Sequence, residues 1–174
     1  MKQNKTFLLC ATALFTALLC ICSQLSIPIR PVPVNLAVFA VFVSGFLLPP
    51  EYAFTSGLAY LLLGGIGIPV FAGMQGGLSA LVGPTGGYLI AYPVMAGLVS
   101  AMKKSSPVSH ILAIVTALLV CYVLGTGYFS FSSGMPLSES IAMCVIPFII
   151  PDLFKGIFAM WLSSVLKRRI KRFS

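Results

Sequence analysis

Two side chains of opposite charge, Asp152 and Lys155, stand inside an apolar stretch near the C-terminal end of the chain. The whole protein has only three acidic residues, and one charge at the centre of a bilayer costs about 3 kcal/mol on insertion scales. Their spacing places both side chains on one face of a helix. The pair therefore indicates a binding site for a polar ligand or a conducting path in a membrane, and a structural ion pair that fixes helix register is the alternative.

The composition is that of a membrane protein. Hydrophobic residues make up 59% of the 174 residues and charged residues only 8%, which is far more apolar than a soluble domain of this size. Hydropathy predicts an all-α integral membrane protein with one membrane-embedded domain, residues 1–174, built as a bundle of six transmembrane helices. The predicted spans are residues 7–27, 36–48, 52–66, 86–102, 109–129 and 141–166. The second and third are shorter than the roughly 20 residues that cross a bilayer, so we expect them to be tilted, bent or shielded by protein.

The net charge of +8 is explained by membrane topology rather than by nucleic-acid binding. Basic residues precede the first span, separate the fourth from the fifth and follow the sixth, whereas Arg30 is the one basic residue on the other side. The basic residues of the first side are Lys2, Lys5, Lys103, Lys104, Lys167, Arg168, Arg169, Lys171 and Arg172. By the positive-inside rule, both termini are predicted to be cytoplasmic, in a chain surrounded by membrane lipid.

Few residues are available for catalysis or metal binding. The five cysteines lie inside apolar segments and form no ligand motif with the single histidine, His110, so neither a metal nor a cofactor is expected. No nucleophile–base constellation is visible, which argues against an intramembrane enzyme. A helical channel is also disfavoured, because polar residues concentrate at one level near the outer side.

Two further segments favour contacts with a ligand or a partner. The connection over residues 67–85 is long, uncharged and fairly apolar, which predicts an outer loop that folds back over the bundle as a lid or re-entrant loop. Its last residues lead into the fourth span, whose first backbone amides attract anions; glycine-mediated helix packing is the alternative there. On the first span, Ala13 and Ala17 stand four residues apart, which suits close approach of another helix, within this chain or outside it.

Four stretches, in order along the chain, resemble the BioY family, the biotin-binding S components of energy-coupling-factor (ECF) vitamin importers. They are residues 27–33 (IPIRPVP), 67–73 (GIPVFAG), 83–89 (GPTGGYL) and 151–155 (PDLFK), and the last two are the most specific. The resemblance covers nearly the whole chain. It implies a six-helix substrate-binding subunit of the bacterial cytoplasmic membrane, with a biotin site near the outer face that is closed by the loop between helices 3 and 4.

The resemblance also implies partners. Family members work with a transmembrane coupling protein and two cytoplasmic ATPases, and an alanine motif on the first helix docks the coupling protein. Ala13 and Ala17 are the candidate positions of this chain for that docking role. An S component for another small vitamin is the closest alternative function.

For biotin as the ligand, Lys155 is the candidate cation for the carboxylate tail and Asp152 the candidate acceptor for the ureido N–H groups. Pro151 is expected in the first turn of a helix. Asp152 lies about 22 Å of helix rise before Lys167, which places it in the outer half of the membrane.

Weaker candidates surround this pair. Tyr88 and Phe71 are expected to form walls of the pocket, and Thr85 and Gln75 to add hydrogen bonds. Family members often show Thr-Leu-Gln where this chain has the residues of positions 35–37, Asn-Leu-Ala. If that Gln assists binding, Ala37 cannot, and Asn35 is the candidate for part of its role.

Overall fold

The protein is described by a computed structural model that covers residues 4–27, 32–104 and 106–169. Its helices are α1 (Lys5–Gln24), α2 (Ala37–Leu47), α3 (Pro50–Gly65), α4 (Leu78–Val82), α5 (Gly86–Met102), α6 (Pro107–Ser133), α7 (Leu137–Cys144) and α8 (Ile146–Arg169). Between α1 and α2, strands β1 (Ser26–Ile27) and β2 (Val34–Asn35) pair as an antiparallel hairpin. Residues 28–31, which include Arg30, lie outside the described residues, as do Lys2, Lys171 and Arg172.

The lengths of the helices support a membrane-embedded bundle. Within the described ranges, α1, α6 and α8 are long and apolar enough to cross a membrane, and α2 and α5 are shorter apolar helices. An all-helical integral membrane protein is therefore confirmed, whereas six crossings stay a prediction. The predicted first span ends too late, because Ser26 and Ile27 belong to β1.

Helix α2 occupies the centre of the bundle. It packs against α8, α5, α1 and α3, and almost all of its side chains are buried. Close packing on α5 requires Gly45, because a Cβ atom there would lie 2.8 Å from Cβ of Val99. The expectation that this short span is shielded by protein is confirmed: the neighbouring helices, rather than lipid, surround it.

The last predicted span, residues 141–166, is wrong in one respect, because two helices occupy it. Helix α7 ends at Cys144 and α8 begins at Ile146. Pro147 has no N–H to donate to the carbonyl of Met143, and its ring opposes continuation of α7, so the chain turns at Val145. The expectation that Pro151 lies in the first turn of a helix is also wrong. Helix α8 begins at Ile146, so Pro151 falls inside the helix. There it leaves the carbonyl of Pro147 without its usual helical donor, just before Asp152.

Lys103 has a structural role beyond topology. Its Nζ donates hydrogen bonds to the carbonyls of Gly45 at 2.9 Å and Phe46 at 3.1 Å, and to that of Leu48. These are terminal carbonyls of α2, which lack partners within the helix and carry its negative dipole end. Burial lowers the pKa of Lys103 to about 7. Lys103 therefore ties the end of α5 to the end of α2, at the side of the bundle where α8 ends, which we call the basic end.

Candidate binding site

A cavity of about 550 Å³ lies at the opposite side of the bundle from the basic end, within the size range of small-molecule sites. Its walls come from β2, the start of α5, the middle of α6, the first turns of α8 and the connection between α3 and α4. Every predicted ligand-binding residue lines it: Asn35, Phe71, Gln75, Thr85, Tyr88, Asp152 and Lys155. The structure thus brings together all seven, which the sequence placed on four separate segments, and their binding roles stay predictions.

The charged pair lies in the wall of this cavity on α8. Nζ of Lys155 lies 2.8 Å from Oδ1 of Asp152, with side chains only 11% and 6% exposed. The helix comes close to its neighbours here because Gly156 follows: a Cβ atom at that position would lie 2.7 Å from Cγ2 of Ile114. The ion pair offsets part of the desolvation cost of each charge.

Tyr122 is a site residue that the sequence analysis missed. Its hydroxyl donates a hydrogen bond of 3.0 Å to Oδ2 of Asp152. Among the described residues, each carboxylate oxygen has one hydrogen-bond partner, and a carboxylate accepts more than two hydrogen bonds. Asp152 keeps acceptor capacity for a ligand, and the ammonium of Lys155 keeps donor capacity after its bond to Asp152.

Tyr88 forms an apolar wall. Its hydroxyl is bonded to Oγ1 of Thr126 at 2.7 Å, so its ring rather than its polar end is what it offers to the cavity. The ring lies directly on α6, because a Cβ atom at Gly125 would come within 2.2 Å of it. Gly125 and Thr126 were not singled out from the sequence, where small residues of an apolar helix carry no distinguishing signal.

The predicted loop over residues 67–85 is interrupted by α4, which hydropathy did not predict. Residues 66–77 form the α3–α4 loop, and its role as a lid stays a prediction. Phe71 and Gln75 form a β-bridge, with N–H···O bonds of 2.9 and 3.2 Å. Phe71 is buried and packs edge to face on Tyr60, with ring centroids 5.3 Å apart. Gln75 is exposed at the rim of the cavity. The loop therefore contributes a buried aromatic ring, Phe71, and a polar rim residue, Gln75.

Asn35 and Thr85 are the remaining candidates, and both sit at helix starts. Oδ1 of Asn35 accepts a hydrogen bond of 3.0 Å from the N–H of Ala37, which caps the beginning of α2. Thr85 is the N-cap residue of α5, but its side chain makes no capping hydrogen bond. Both residues face the cavity, and Thr85 has its hydroxyl available there.

The two alanines of α1 lie away from the cavity. Ala13 and Ala17 are exposed, on the face of α1 opposite the buried side chains of Leu8, Phe15 and Leu19. Packing within this chain, one of the two interpretations of their spacing, is therefore excluded for both. They offer a smooth surface to lipid or to another protein.

No group of three or more potential ligands of the kind that binds a metal ion occurs among residues 4–27, 32–104 and 106–169. The site is instead a cavity with apolar walls and one buried ion pair inside a bundle of apolar helices. These features define an integral membrane protein that binds a small polar ligand.

Comparison with known proteins gives the family. The model of the BioY family matches residues 1–172, and the chain belongs to that family. It is 38% identical over 155 residues to the probable biotin transporter BioY of Pyrococcus horikoshii, which covers 89% of this chain and 93% of that protein. It is 36% identical over 174 residues to biotin transporter BioY2 of Lactococcus lactis, which covers 98% and 95%.

A solved structure shares the fold. The crystal structure of the S-component for biotin from an ECF-type ABC transporter superposes with a TM-score of 0.87 at 29% identity, and the match covers 97% of this chain and 94% of that chain. The resemblance inferred from four short stretches is thereby confirmed over nearly the whole chain. Because the family consists of transport proteins, the prediction that the chain is not an enzyme is confirmed as well.

Proposed function

We propose that this protein captures biotin in the cavity at the outer side of the membrane and mediates its uptake as the S component of an ECF-type transporter. The observation that carries the proposal is the buried pair Asp152–Lys155 in the wall of a cavity of ligand size, in a chain of the BioY family. A buried charge pair is costly to maintain, and a polar ligand accounts for it.

The geometry of the pair refines how biotin would bind. The sequence analysis gave the two charges to opposite ends of the ligand, but a contact of 2.8 Å puts them side by side. Side by side they complement the ureido group, whose carbonyl accepts from Lys155 while a neighbouring N–H donates to Asp152. The bicycle and the aliphatic chain then lie against Tyr88 and Phe71. The carboxylate tail points towards the start of α5, where Thr85 and the helix dipole favour an anion.

The difference between the two sides of the bundle supports a proposal for orientation and partners. We place the cavity outside and the basic end in the cytoplasm, with both termini cytoplasmic, in accord with the positive-inside rule. The exposed face of Ala13 and Ala17 on α1 is the proposed contact with a transmembrane coupling protein, and two cytoplasmic ATPases would supply the energy. A reporter fused after Ser174 is expected to be active only in the cytoplasm, and one inserted at Ser133 only outside.

The test is calorimetric titration of the purified protein with biotin and with a panel of other small vitamins. We expect biotin to bind and the other vitamins of the panel not to bind. Binding of a different vitamin in its place would reassign the ligand while leaving the transport class intact. Uptake of labelled biotin by a biotin-auxotrophic host, with and without a coupling module, then decides whether the chain needs partners.

A further inference from the structure

The side chain of Gln24, the last residue of α1, is bonded to the α3–α4 loop at three points. Its Nε2 donates to the carbonyls of Pro69 at 3.2 Å and Phe71 at 3.0 Å. Its Oε1 accepts from the N–H of Met74 at 3.0 Å. Among the described residues, Gln24 alone has a side chain that hydrogen-bonds to the backbone of this loop. The other hydrogen bonds of the loop backbone are to main-chain groups.

The pattern of these bonds requires an amide. Two carbonyls need donors and one N–H needs an acceptor, which a carboxamide supplies in one orientation only. A Glu at this position would set a carboxylate against two carbonyl oxygens, and a Leu would satisfy none of the three groups. The bonds also hold an unfavourable backbone, because Met74 has a φ of 58°, in the left-handed region that non-glycine residues avoid.

The end of α1 reaches the same loop by a second route. Oγ of Ser23 and the hydroxyl of Tyr60 are hydrogen-bonded at 2.8 Å, and the ring of Tyr60 packs on Phe71. Phe71 fits because Gly64 has no side chain: a Cβ atom there would lie 2.0 Å from its ring. The bonds of Gln24 therefore act on a loop whose buried ring, Phe71, is already in place, and they fix residues 69–75, which we call the tip of the loop.

We propose that Gln24 is a positioning residue that latches the tip of the α3–α4 loop over the cavity and thereby slows escape of the ligand. The loop residues Phe71, Gly73 and Gln75 line the cavity, so moving the tip changes its wall. Loops held by few contacts open locally without unfolding of the protein, and three hydrogen bonds set how often this one opens. The retention of ligand rests on the proposed biotin function, whereas the latching of the loop does not.

Hydrogen exchange in lipid nanodiscs without ligand tests the latch. In Gln24→Leu, amides of residues 70–77 are expected to exchange about tenfold faster or more, as loss of hydrogen bonds of ordinary strength predicts, while helix α5 exchanges as in wild type. Gln24→Glu is expected to behave like Gln24→Leu. Ile21→Ala changes an exposed residue of the same turn and is expected to leave the loop unchanged. If Gln24→Leu is not recovered folded, Gln24→Asn, whose amide is one methylene too short, takes its place.

The release rate of labelled biotin is measured on the same proteins. We expect about tenfold faster release from Gln24→Leu, and no change for Ile21→Ala. Unchanged exchange of the loop would overturn the proposal whatever the ligand does. Faster exchange with unchanged release would overturn the retention of ligand. If wild type binds no biotin, the proposed function fails, and the exchange of the loop alone still decides whether Gln24 latches it.

Discussion

The hydroxyl of Tyr122 lies 3.0 Å from Oδ2 of Asp152 and donates a hydrogen bond to it. Lys155 holds the other carboxylate oxygen, so the carboxylate is oriented from two sides by residues of two different helices, α6 and α8. A buried carboxylate fixed in this way presents its remaining lone pairs in a defined direction, which is what recognition of a ureido N–H needs.

Removal of this hydroxyl is expected to weaken biotin binding. Tyr122→Phe keeps the ring and removes a hydrogen bond to a charged group, which is worth about 1.5–3 kcal/mol, so the Kd should rise about tenfold to a hundredfold. Calorimetric titration measures it, with Tyr52→Phe at the basic end as the control. Equal affinities for wild type and Tyr122→Phe would show that the hydroxyl does not orient Asp152 for binding.

Substitutions of Asp152 and Lys155 give a sharper prediction, because the ligand can be modified chemically in the same experiments. Lys155→Met is expected to lower biotin affinity by about 2–5 kcal/mol, the usual cost of truncating one partner of a buried charged contact. Asp152→Asn should be milder, since an amide oxygen still accepts. Lys104→Met, at an exposed lysine of the basic end, is the control and should bind as wild type does.

Titration of the same variants with biotin methyl ester locates the carboxylate tail. If the tail lies at the start of α5, as we propose, esterification and Lys155→Met reduce affinity independently and their free energies add. If the tail instead pairs with Lys155, esterification costs little once Lys155 is gone. Thermal melts establish that each variant is folded, and full affinity of folded Lys155→Met and Asp152→Asn for biotin would leave the pair only a structural role.

The parts of the site that depend on charge and chain composition could be predicted from the sequence. Asp152 and Lys155 stand out because charged residues are rare in this chain, and the loop stands out because it is long and uncharged. Tyr122 could not be found in the same way. Tyr122 is one of several aromatic residues on α6, a helix with apolar residues on every face. Only the packing of α6 against α8 shows that Tyr122 faces Asp152.

Gln24, Lys103 and Pro147 illustrate a second limit of prediction from the sequence. Polar residues at the ends of spans look like ordinary boundary residues, yet Gln24 binds the loop and Lys103 caps α2 through contacts over 45 residues or more along the chain. Pro147 and Pro151 lie in one apolar stretch, and hydropathy does not tell which one begins a helix. These features depend on tertiary contacts, which local sequence patterns do not encode.

Close packing of Tyr88 on α6 leads to a third prediction. Gly125→Ala places a methyl group within 2.2 Å of the ring of Tyr88, so the ring must move into the cavity or the helices must separate. Overpacking of this kind costs about 1–3 kcal/mol, and we expect a lower melting temperature together with weaker biotin binding. Gly127→Ala is the matched control, because a Cβ atom there meets nothing within 4 Å. Similar melting and binding for the two variants would contradict the packing argument.

The exposed alanines of α1 give a fourth prediction, on partner docking. Ala13→Leu combined with Ala17→Leu is expected to abolish energised uptake when the coupling module is present, and to leave biotin binding by the isolated protein unchanged, because neither residue touches the cavity. Ala142→Leu, at an exposed alanine of α7, should leave both unchanged. Loss of binding and uptake together would place the alanines in the folding of the chain instead of in docking.

The last prediction concerns pH and Lys103. Its pKa is lowered by burial from 10.5 to about 7, so between these values the folded protein binds fewer protons at this site than the unfolded chain. Stability contributed by the site therefore rises with pH from about 7 to 10.5. In Lys103→Met, terminal carbonyls of α2 lose their donor, and we expect a lower melting temperature at pH 7 and a gap to wild type that widens towards pH 10. Lys104→Met should follow wild type across this range. Thermal melts at several pH values measure both, and a gap that stays constant or narrows as pH rises would show that the pKa of Lys103 is not lowered in the folded protein.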